Sequence, residues 1–284
     1  MFAPPIPAAH DLLLPAFIRA AGGVRLRFGV GSGRTHRREV AESGGYRARF
    51  PTTYDETCEA VLINTGGGMA GGDAMRVETA LDAGSHAVVT SQAAEKIYRS
   101  QGADTCIETT LSVGEGATLH WLPQESILFS GARLSRSLTI DLAPAASLVA
   151  CESVFFGRAA MGESLLRGCL RDRWRIRREG RLVFADDLRL EGAIASHLAR
   201  PAIGAGARAA ATLVAAGPTA VEKLDGLREI IATPAFCDVE AGAGIVSDLI
   251  VIRLLSSDAQ ALRRALVTLV GQVTGRALPR TWSI

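Results

Sequence analysis

Apolar and polar positions along the middle of the chain repeat with the period of a strand. Met75, Val77, Thr79 and Leu81 alternate with Ala74, Arg76, Glu78 and Ala80, which places the two sets on opposite faces of an extended segment. Residues 81–89 can be laid over 111–119 and over 140–148: apolar residues alternate into a small-residue turn, an alanine follows, and an apolar strand leaves. The steps between these copies are 30 and 29 residues. A period of that size predicts stacked coils, each covering its neighbour's apolar face, so the expected fold is mainly β, a stacked-strand, β-helix-like arrangement. A β-sandwich carrying three chance matches is the alternative.

The repeat continues beyond its strands. Residues 95–100, 125–130 and 152–157 each start with glutamate, pass through apolar or aromatic residues and end on a small one. In stacked coils Glu95, Glu125 and Glu152 would lie one above another, about 4.8 Å apart. Such a row repels itself unless it is solvated, paired or cation-bound. It reads either as a solvated row matched by arginines or as a cation or partner site.

The last third changes period. Thr219 and Glu222 form a capping box before Val221, Leu224, Leu227 and Ile231, and Pro234 marks the stop, which predicts a helix over 219–233. Ser257 with Gln260 predicts a second helix over 257–275, closed by Gly275. Residues 245–255 between them are rich in β-branched side chains and read as one strand. The glycine- and proline-rich pieces at 22–33 and 201–206 read as turns. No linker divides the chain, so 1–284 is expected to form one domain, with an irregular N-terminal segment over 1–24.

Gly66-Gly67-Gly68-Met69-Ala70-Gly71-Gly72-Asp73 is the sharpest local motif. It contains Gly-x-Gly-x-x-Gly, but a dinucleotide site needs a helix after the loop, and the alternation from Ala74 onward is that of a strand. Five glycines in seven residues predict instead a tight turn with left-handed backbone, with Asp73 accepting amide hydrogen bonds. Gly67, Gly68, Gly71, Gly72 and Asp73 form that turn or a loop that a partner contacts.

Composition removes several functions. Apolar residues at 48% suffice for a core, and a formal charge of +2 gives no general attraction for nucleic acid or membrane. The five cysteines are scattered and unpaired in sequence, as in a reducing, cytoplasmic compartment. Arg253 and Asp248 interrupt the strongest apolar stretch, so no membrane span is expected, and the proline-rich start does not resemble a signal peptide. The five histidines include no pair at helical spacing, which excludes a tight local metal site, and His120 beside Trp121 reads as a core or rim residue. Arg173, Arg175 and Arg177 alternate with Trp174 and Ile176, giving a basic strand face before a hairpin turn at Glu179-Gly180.

Taken in order, residues 67–73, 90–100, 119–125, Ile127-Leu128-Phe129, Gly131-Ala132, Phe156-Gly157-Arg158, Gly162-Glu163 and the terminal Leu278-Pro279-Arg280-Thr281-Trp282 resemble the urease accessory protein family UreD, called UreH in some organisms. The resemblance runs over nearly the whole chain and is loose in the first 50 or so residues. It implies a non-catalytic scaffold that binds apo-urease and UreF, reaches the GTPase UreG through UreF, and assists nickel insertion. It implies no tightly bound cofactor, with nickel at most in transit along a polar passage, for which Glu95, Glu125, Glu152 and Glu163 are the candidate carboxylates. A β-helical carbohydrate-active enzyme using Glu125 and Glu152 as an acid/base pair is the alternative; a nucleic-acid binder acting through the Arg173 strand is a third reading.

Overall fold

The computed structural model describes residues 19–158 and 161–283. In chain order, β1 (Ala21–Gly31) and β2 (Arg34–Ser43) form a hairpin, and β3 (Tyr46–Arg49) and β4 (Cys58–Asn64) form another pair. Three coils follow: β5 (Ala74–Leu81), β6 (His86–Ser91) and β7 (Glu95–Ile97); β8 (Thr105–Val113), β9 (Thr118–Leu122) and β10 (Ser126–Leu128); β11 (Arg133–Leu142) and the long β12 (Ser147–Phe156). The hairpin of β13 (Gly168–Arg178) and β14 (Arg181–Gly192) precedes a short helix α1 (Ile194–Leu198) and β15 (Ala209–Ala216). The chain ends with α2 (Leu224–Ile231), the hairpin of β16 (Glu240–Val246) and β17 (Leu249–Ser256), and α3 (Ala259–Thr274).

Successive strands of each coil go to two facing sheets. One has seven strands in the order β14-β13-β11-β8-β5-β1-β2, parallel from β13 through β1 and closed by antiparallel hairpins at its ends. The other runs β16-β17-β15-β12-β9-β6-β4-β3, with β7 and β10 continuing the lower end of β12. The expected mainly β, stacked-coil architecture is therefore present. Between the sheets lies one core that includes Leu26, Val77, Leu111, Leu138, Ile140 and Trp174 from the first sheet and Val89, Trp121, Ala150 and Val154 from the second. A second core covers the outer face of the second sheet, where Leu262, Leu266, Leu269 and Val270 of α3 meet Cys151, Leu213, Ile250 and Ile252. The α3 helix seals this face; among the described residues α2 and α3 stand where two helices were expected in the C-terminal third, and the short α1 is an addition there.

The coil turns show why the repeat was legible and where its register slips. Leu81 pairs with Val113, and Leu142 pairs with Val113, so the first step is 32 residues rather than 30 while the second is 29. The left-handed residue of each turn is Gly84 (φ 67°), Gly116 (φ 60°) and Ala145 (φ 54°), so Gly84 corresponds to Gly116 and not to Gly114. An offset of two preserves which face each residue takes, which is why the strand assignment survives the error.

Other expectations are corrected by tertiary packing. Residues 1–18 of the predicted irregular segment lie outside the described residues, but Ala21–Val24 are already in β1, paired with Ala74–Val77. The glycines at 22 and 23 serve close packing there, since a Cβ on Gly23 would strike the Arg76 backbone; only Ser32-Gly33 make a turn. Residues 201–206 are turns as expected, and Glu179-Gly180 turn the β13–β14 hairpin with φ of 49° and 77°. Residues 245–255 are not one strand: the chain reverses at Ser247-Asp248, and the small residues of Glu240–Val246 supply the partner strand.

The first predicted capping box does not form. A short 3-10 turn over Val221–Lys223 leads into α2, and neither start has a side-chain cap. In α3 the cap is displaced by one residue: Asp258 accepts from the Gln260 amide at 2.8 Å, while Gly275 closes the helix in the left-handed conformation. Asp258→Ala is therefore expected to lower stability by about 0.5–2 kcal/mol and Ser257→Ala to leave it nearly unchanged. Urea denaturation of the two variants measures this, and equal effects would place the cap elsewhere.

Candidate functional site

The inter-sheet core is interrupted by charge at one level. On β11 the inward positions are Leu134, Arg136, Leu138, Ile140 and Leu142, and Arg136 is the one that is not apolar. Its register partner on β13 is Asp172, which breaks the inward series of Leu170, Trp174 and Ile176. Across the gap on β12, Glu152 occupies the inward series of Leu148, Ala150 and Val154. All three charged residues are at most 8% exposed.

Asp172 takes both arms of the guanidinium, through Nε at 3.1 Å and through a very short Nη2 bond. Glu152 Oε2 also lies 3.1 Å from Arg136 Nε, yet it accepts no hydrogen bond, since the single Nε–H is directed at Asp172. Glu152 Oε1 accepts from the Trp121 indole at 3.2 Å. Removal from water and the nearby Asp172 charge push the Glu152 acid upward, against the lowering effect of Arg136. Two carboxylates on one guanidinium leave the cluster one negative charge in excess when all are ionised.

Arg136 and Glu152 of this cluster line a cavity of about 290 Å³ between the sheets. Glu95, Asn64, Tyr46, Ser126 and Gln124 line it, and Gly67 and Gly68 stand among its wall residues. Glu95 accepts from Asn64 Nδ2 at 2.9 Å, and burial, the largest influence, raises its pKa to about 7. Tyr46 is raised as well, by burial and then by the charges of Glu95 and Asp73.

The four candidate carboxylates do not form one row. Glu95 pairs in register with Ser126, and Ser126 with Val154, so Glu95 and Glu152 share the inward face while Glu125 points outward. The one-residue slip sends Glu125 to α3, where it meets Arg263 Nη1 at 2.7 Å. Arg263 also bonds Gln124 Oε1 at 2.7 Å and its guanidinium lies 5.4 Å from the Trp282 ring. Gln124 in turn donates to the Thr281 carbonyl at 2.7 Å, so the Pro-Gln-Glu motif and the terminal Arg-Thr-Trp motif lock onto each other. Glu125 and Glu152 on opposite faces of a sheet cannot serve as an acid/base pair across one substrate.

Glu163 is a separate feature. It accepts the Ser130 amide at 2.9 Å and pairs closely with Arg158, and the amide bond, then Arg158, holds its carboxyl below the usual range. The Arg158 guanidinium rests 4.3 Å from the Phe129 ring, outside the cavity. The Arg173 row faces outward as expected; Arg173 and Arg175 each lie 3.6 Å from Asp187, which reduces its free positive charge.

The glycine loop is a turn that supports the cavity wall. Gly67 (φ 72°), Gly68 (φ 150°) and Gly72 (φ 91°) are in the left-handed region, whereas Gly71 is not. Gly68 lies against the Tyr98 ring and Gly71 against Ser100 and the Ala103 carbonyl, leaving neither room for a Cβ. Asp73 accepts the Ala70 amide at 2.7 Å and the Ala20 amide at 2.9 Å. Met69, fully buried, then bridges in parallel to Ile97 of β7, from the segment between β4 and β5.

His86 and His120 meet edge to face at 5.2 Å on the outer face of the second sheet. Burial lowers them to about 4 and about 3, so both are neutral at neutral pH. His120 borders a second pocket with Asp55, Glu59 and Arg276. Among the described residues no group of three or more His, Cys, Asp and Glu is disposed to hold a metal ion. Arg136, Asp172, Trp121 and Asn64 were not singled out as site residues by sequence reasoning. The signal was a charge inside an otherwise apolar inward series, at Arg136 and again at Asp172.

Residues 20–283 match the family model described as UreD urease accessory protein. A protein named urease accessory protein UreD from Methylobacterium sp. (strain 4-46) is 49% identical over 267 residues, covering 93% of this chain and 95% of the relative. Urease accessory protein UreD 1 of Methylobacterium radiotolerans is 44% identical over 283 residues, covering 98% and 97%. Urease accessory protein UreD of Azorhizobium caulinodans is 41% identical over 266 residues, covering 94% and 97%.

Two outcomes follow from the site geometry. Because the folded-state acid of Glu95 is raised from 4.5 to about 7, its contribution to stability is lost as pH climbs through that window. Glu95→Gln should match the wild type near pH 5 and exceed it near pH 8 by on the order of 1–3 kcal/mol, measured by urea denaturation at both values. For the loop, Gly71→Val should cost about 1–3 kcal/mol by overpacking, and Gly67→Ala, which meets open space, about 1 kcal/mol for its left-handed backbone. A Gly71→Val protein as stable as wild type would contradict the close approach to Ser100.

Proposed function

This chain belongs to the UreD urease accessory protein family, and from that premise we propose that it is the scaffold on which UreF, and through it the GTPase UreG, is held against apo-urease while nickel is inserted. Family members take part in urease maturation as assembly factors and not as catalysts. The absence of a phosphate loop fits the same division of labour: the motif at 66–73 leads into β5, a strand, so nucleotide chemistry belongs to another component. No helix among the described residues is long and apolar enough to cross a membrane.

The observation that carries the finer reading is the cavity that Glu95 and Glu152 line from the inward face of one sheet. Nickel is cargo here, and a cargo route needs shallow wells. Oxygen donors from two carboxylates and a serine hold nickel loosely compared with histidine or thiolate. Glu125 supports the structure instead, because it pairs with Arg263 of α3 at 2.7 Å.

Two measurements test this. A tagged full-length chain co-expressed with the urease subunits, UreF and UreG should co-purify with them, and failure to retain any of them would remove the scaffold reading. Urease activity per assembled complex should then fall for Glu95→Gln and Glu152→Gln when nickel is scarce and recover when it is abundant. Glu125→Gln is expected to change complex yield without changing the nickel dependence. An unchanged curve for both inward variants would eliminate the passage.

A further inference from the structure

The outer face of the seven-stranded sheet is neutralised to different degrees in its two halves. On β1, β5 and β8 the outward arginines have carboxylates at hydrogen-bonding distance: Arg25 Nε meets Glu78 at 2.6 Å, Arg27 Nε meets Asp82 at 2.9 Å, and Arg76 Nη2 meets Glu108 at 2.7 Å. On β13 the outward residues Arg171, Arg173, Arg175 and Arg177 follow at every second position, about 6.6 Å apart. Their carboxylates are too few. Arg173 and Arg175 share Asp187, each at 3.6 Å and neither hydrogen-bonded to it. Arg171 comes within 3.9 Å of Asp104, which Arg133 already holds at 2.7 Å, and its buried Nε makes no hydrogen bond. Arg177 stands beside Asp141 in register yet makes no ion pair among the described residues. A column of hydroxyls runs alongside: Ser135, Ser137 and Thr139 of β11 pair in register with Arg171, Arg173 and Arg175, and none of the three makes a side-chain hydrogen bond among the described residues.

We propose that this strip of arginines and hydroxyls is a docking surface for an extended acidic segment of another protein, lying along β13. The inference rests on the scaffold reading and names the surface through which that scaffold takes an acidic partner.

The physical case begins with repulsion. Four like charges on one strand oppose one another, and two shared carboxylates relieve this only in part. An extended segment with acid residues at alternate positions repeats at the same spacing, so its carboxylates face successive guanidiniums and accept charge-assisted bonds from them. The hydroxyls, free as donors and acceptors, serve its other polar groups. Both columns sit on paired strands, so docking orders little of this chain's own backbone. A nucleic-acid strand fits less well. Asp187 and Asp141 flank the column on the neighbouring strands; they repel phosphates that follow without a break, whereas a peptide can set neutral or basic residues opposite them. No aromatic side chain stands at the outward positions of β11 or β13 for bases to stack on.

The test uses the full-length chain and two labelled probes, a peptide of alternating glutamate and serine and a single-stranded oligothymidine of equal charge. Binding is followed by fluorescence anisotropy at about 50 mM salt, where screening is weak. Wild type should bind the peptide more tightly than the oligonucleotide, and less tightly as salt rises. The double variant Arg173→Gln with Arg177→Gln should lower peptide affinity about tenfold or more. Arg25→Gln with Arg76→Gln, the same change of charge on the neutralised half, should lower it less than about threefold. Ser137→Glu keeps every arginine and sets a carboxylate of the chain itself in the strip; it should weaken the peptide too, and it decides the matter where the first double variant fails to fold. A wild type that does not bind the peptide, equal losses in the two double variants, a Ser137→Glu protein that binds as wild type does, or tighter binding of the oligonucleotide would each overturn the surface. Co-expression with the urease subunits and the other accessory proteins separates this from the reading beneath it. If wild type retains them, Arg173→Gln with Arg177→Gln should lose at least one, and retention of all overturns the surface. A wild type that retains none removes the scaffold reading and leaves the peptide result to judge the surface.

Discussion

A guanidinium placed between two packed β-sheets loses its water, and the loss costs several kcal/mol unless carboxylates replace it. Arg136 meets this constraint with Asp172 beside it on the next strand and Glu152 from the facing sheet. The requirement ties the two strands of the third coil to the β13–β14 hairpin. Asp172 can reach only if β13 is in register with β11, and Glu152 only if β12 keeps its inward parity across the gap. The same cluster interrupts the apolar filling of the inter-sheet space, and the cavity stands where that filling stops.

From this cluster outward, each layer has a mechanical reason. Trp121 fixes the Glu152 carboxylate, and Asn64 fixes Glu95. The glycine loop that follows Asn64 crosses within contact of Tyr98 and Ser100, and Asp73 ties its end back to the Ala70 and Ala20 amides. On the other face of the same sheet, Glu125, Gln124, Arg263 and Trp282 clamp α3 and the C-terminal motif. A single stretch, 121–126, therefore serves both sides: Trp121 and Ser126 line the cavity, whereas Leu122, Gln124 and Glu125 meet the helix layer and the C-terminal motif. The parity changes where residues 123–125 interrupt the strands. The separation lets the protein keep a polar interior without exposing it to the helices that seal the outer core.

Much of this was legible from local pattern, and the failures have one kind of cause. Alternation from Met75 to Leu81 identified a strand and excluded a nucleotide-binding helix, and five glycines near Asp73 identified the turn with its amide bonds. Parity, however, is fixed by register, and register depends on turns that sequence similarity aligns only approximately. An error of two at Leu81 was harmless, whereas an error of one at Glu125 moved a carboxylate to the opposite face. The cap of α3 moved by one residue, from Ser257 to Asp258, because the Asp258 carboxylate is the group that accepts the Gln260 amide. Arg136 was not legible from the repeat, which aligns glutamates alone. A cation in an inward apolar series is the more reliable mark of a buried polar site, because nothing but a partner can hold it there.

The central claim is that the inward carboxylates at the cavity, Glu95 and Glu152, form the place where cargo metal rests. Crystals of the full-length protein grown with nickel and measured across the nickel absorption edge test it most directly. The account predicts a weakly occupied anomalous peak in the cavity beside Glu152 Oε2. Nickel found solely at the His86–His120 face or on the surface, with the Glu152 side of the cavity empty, would contradict it.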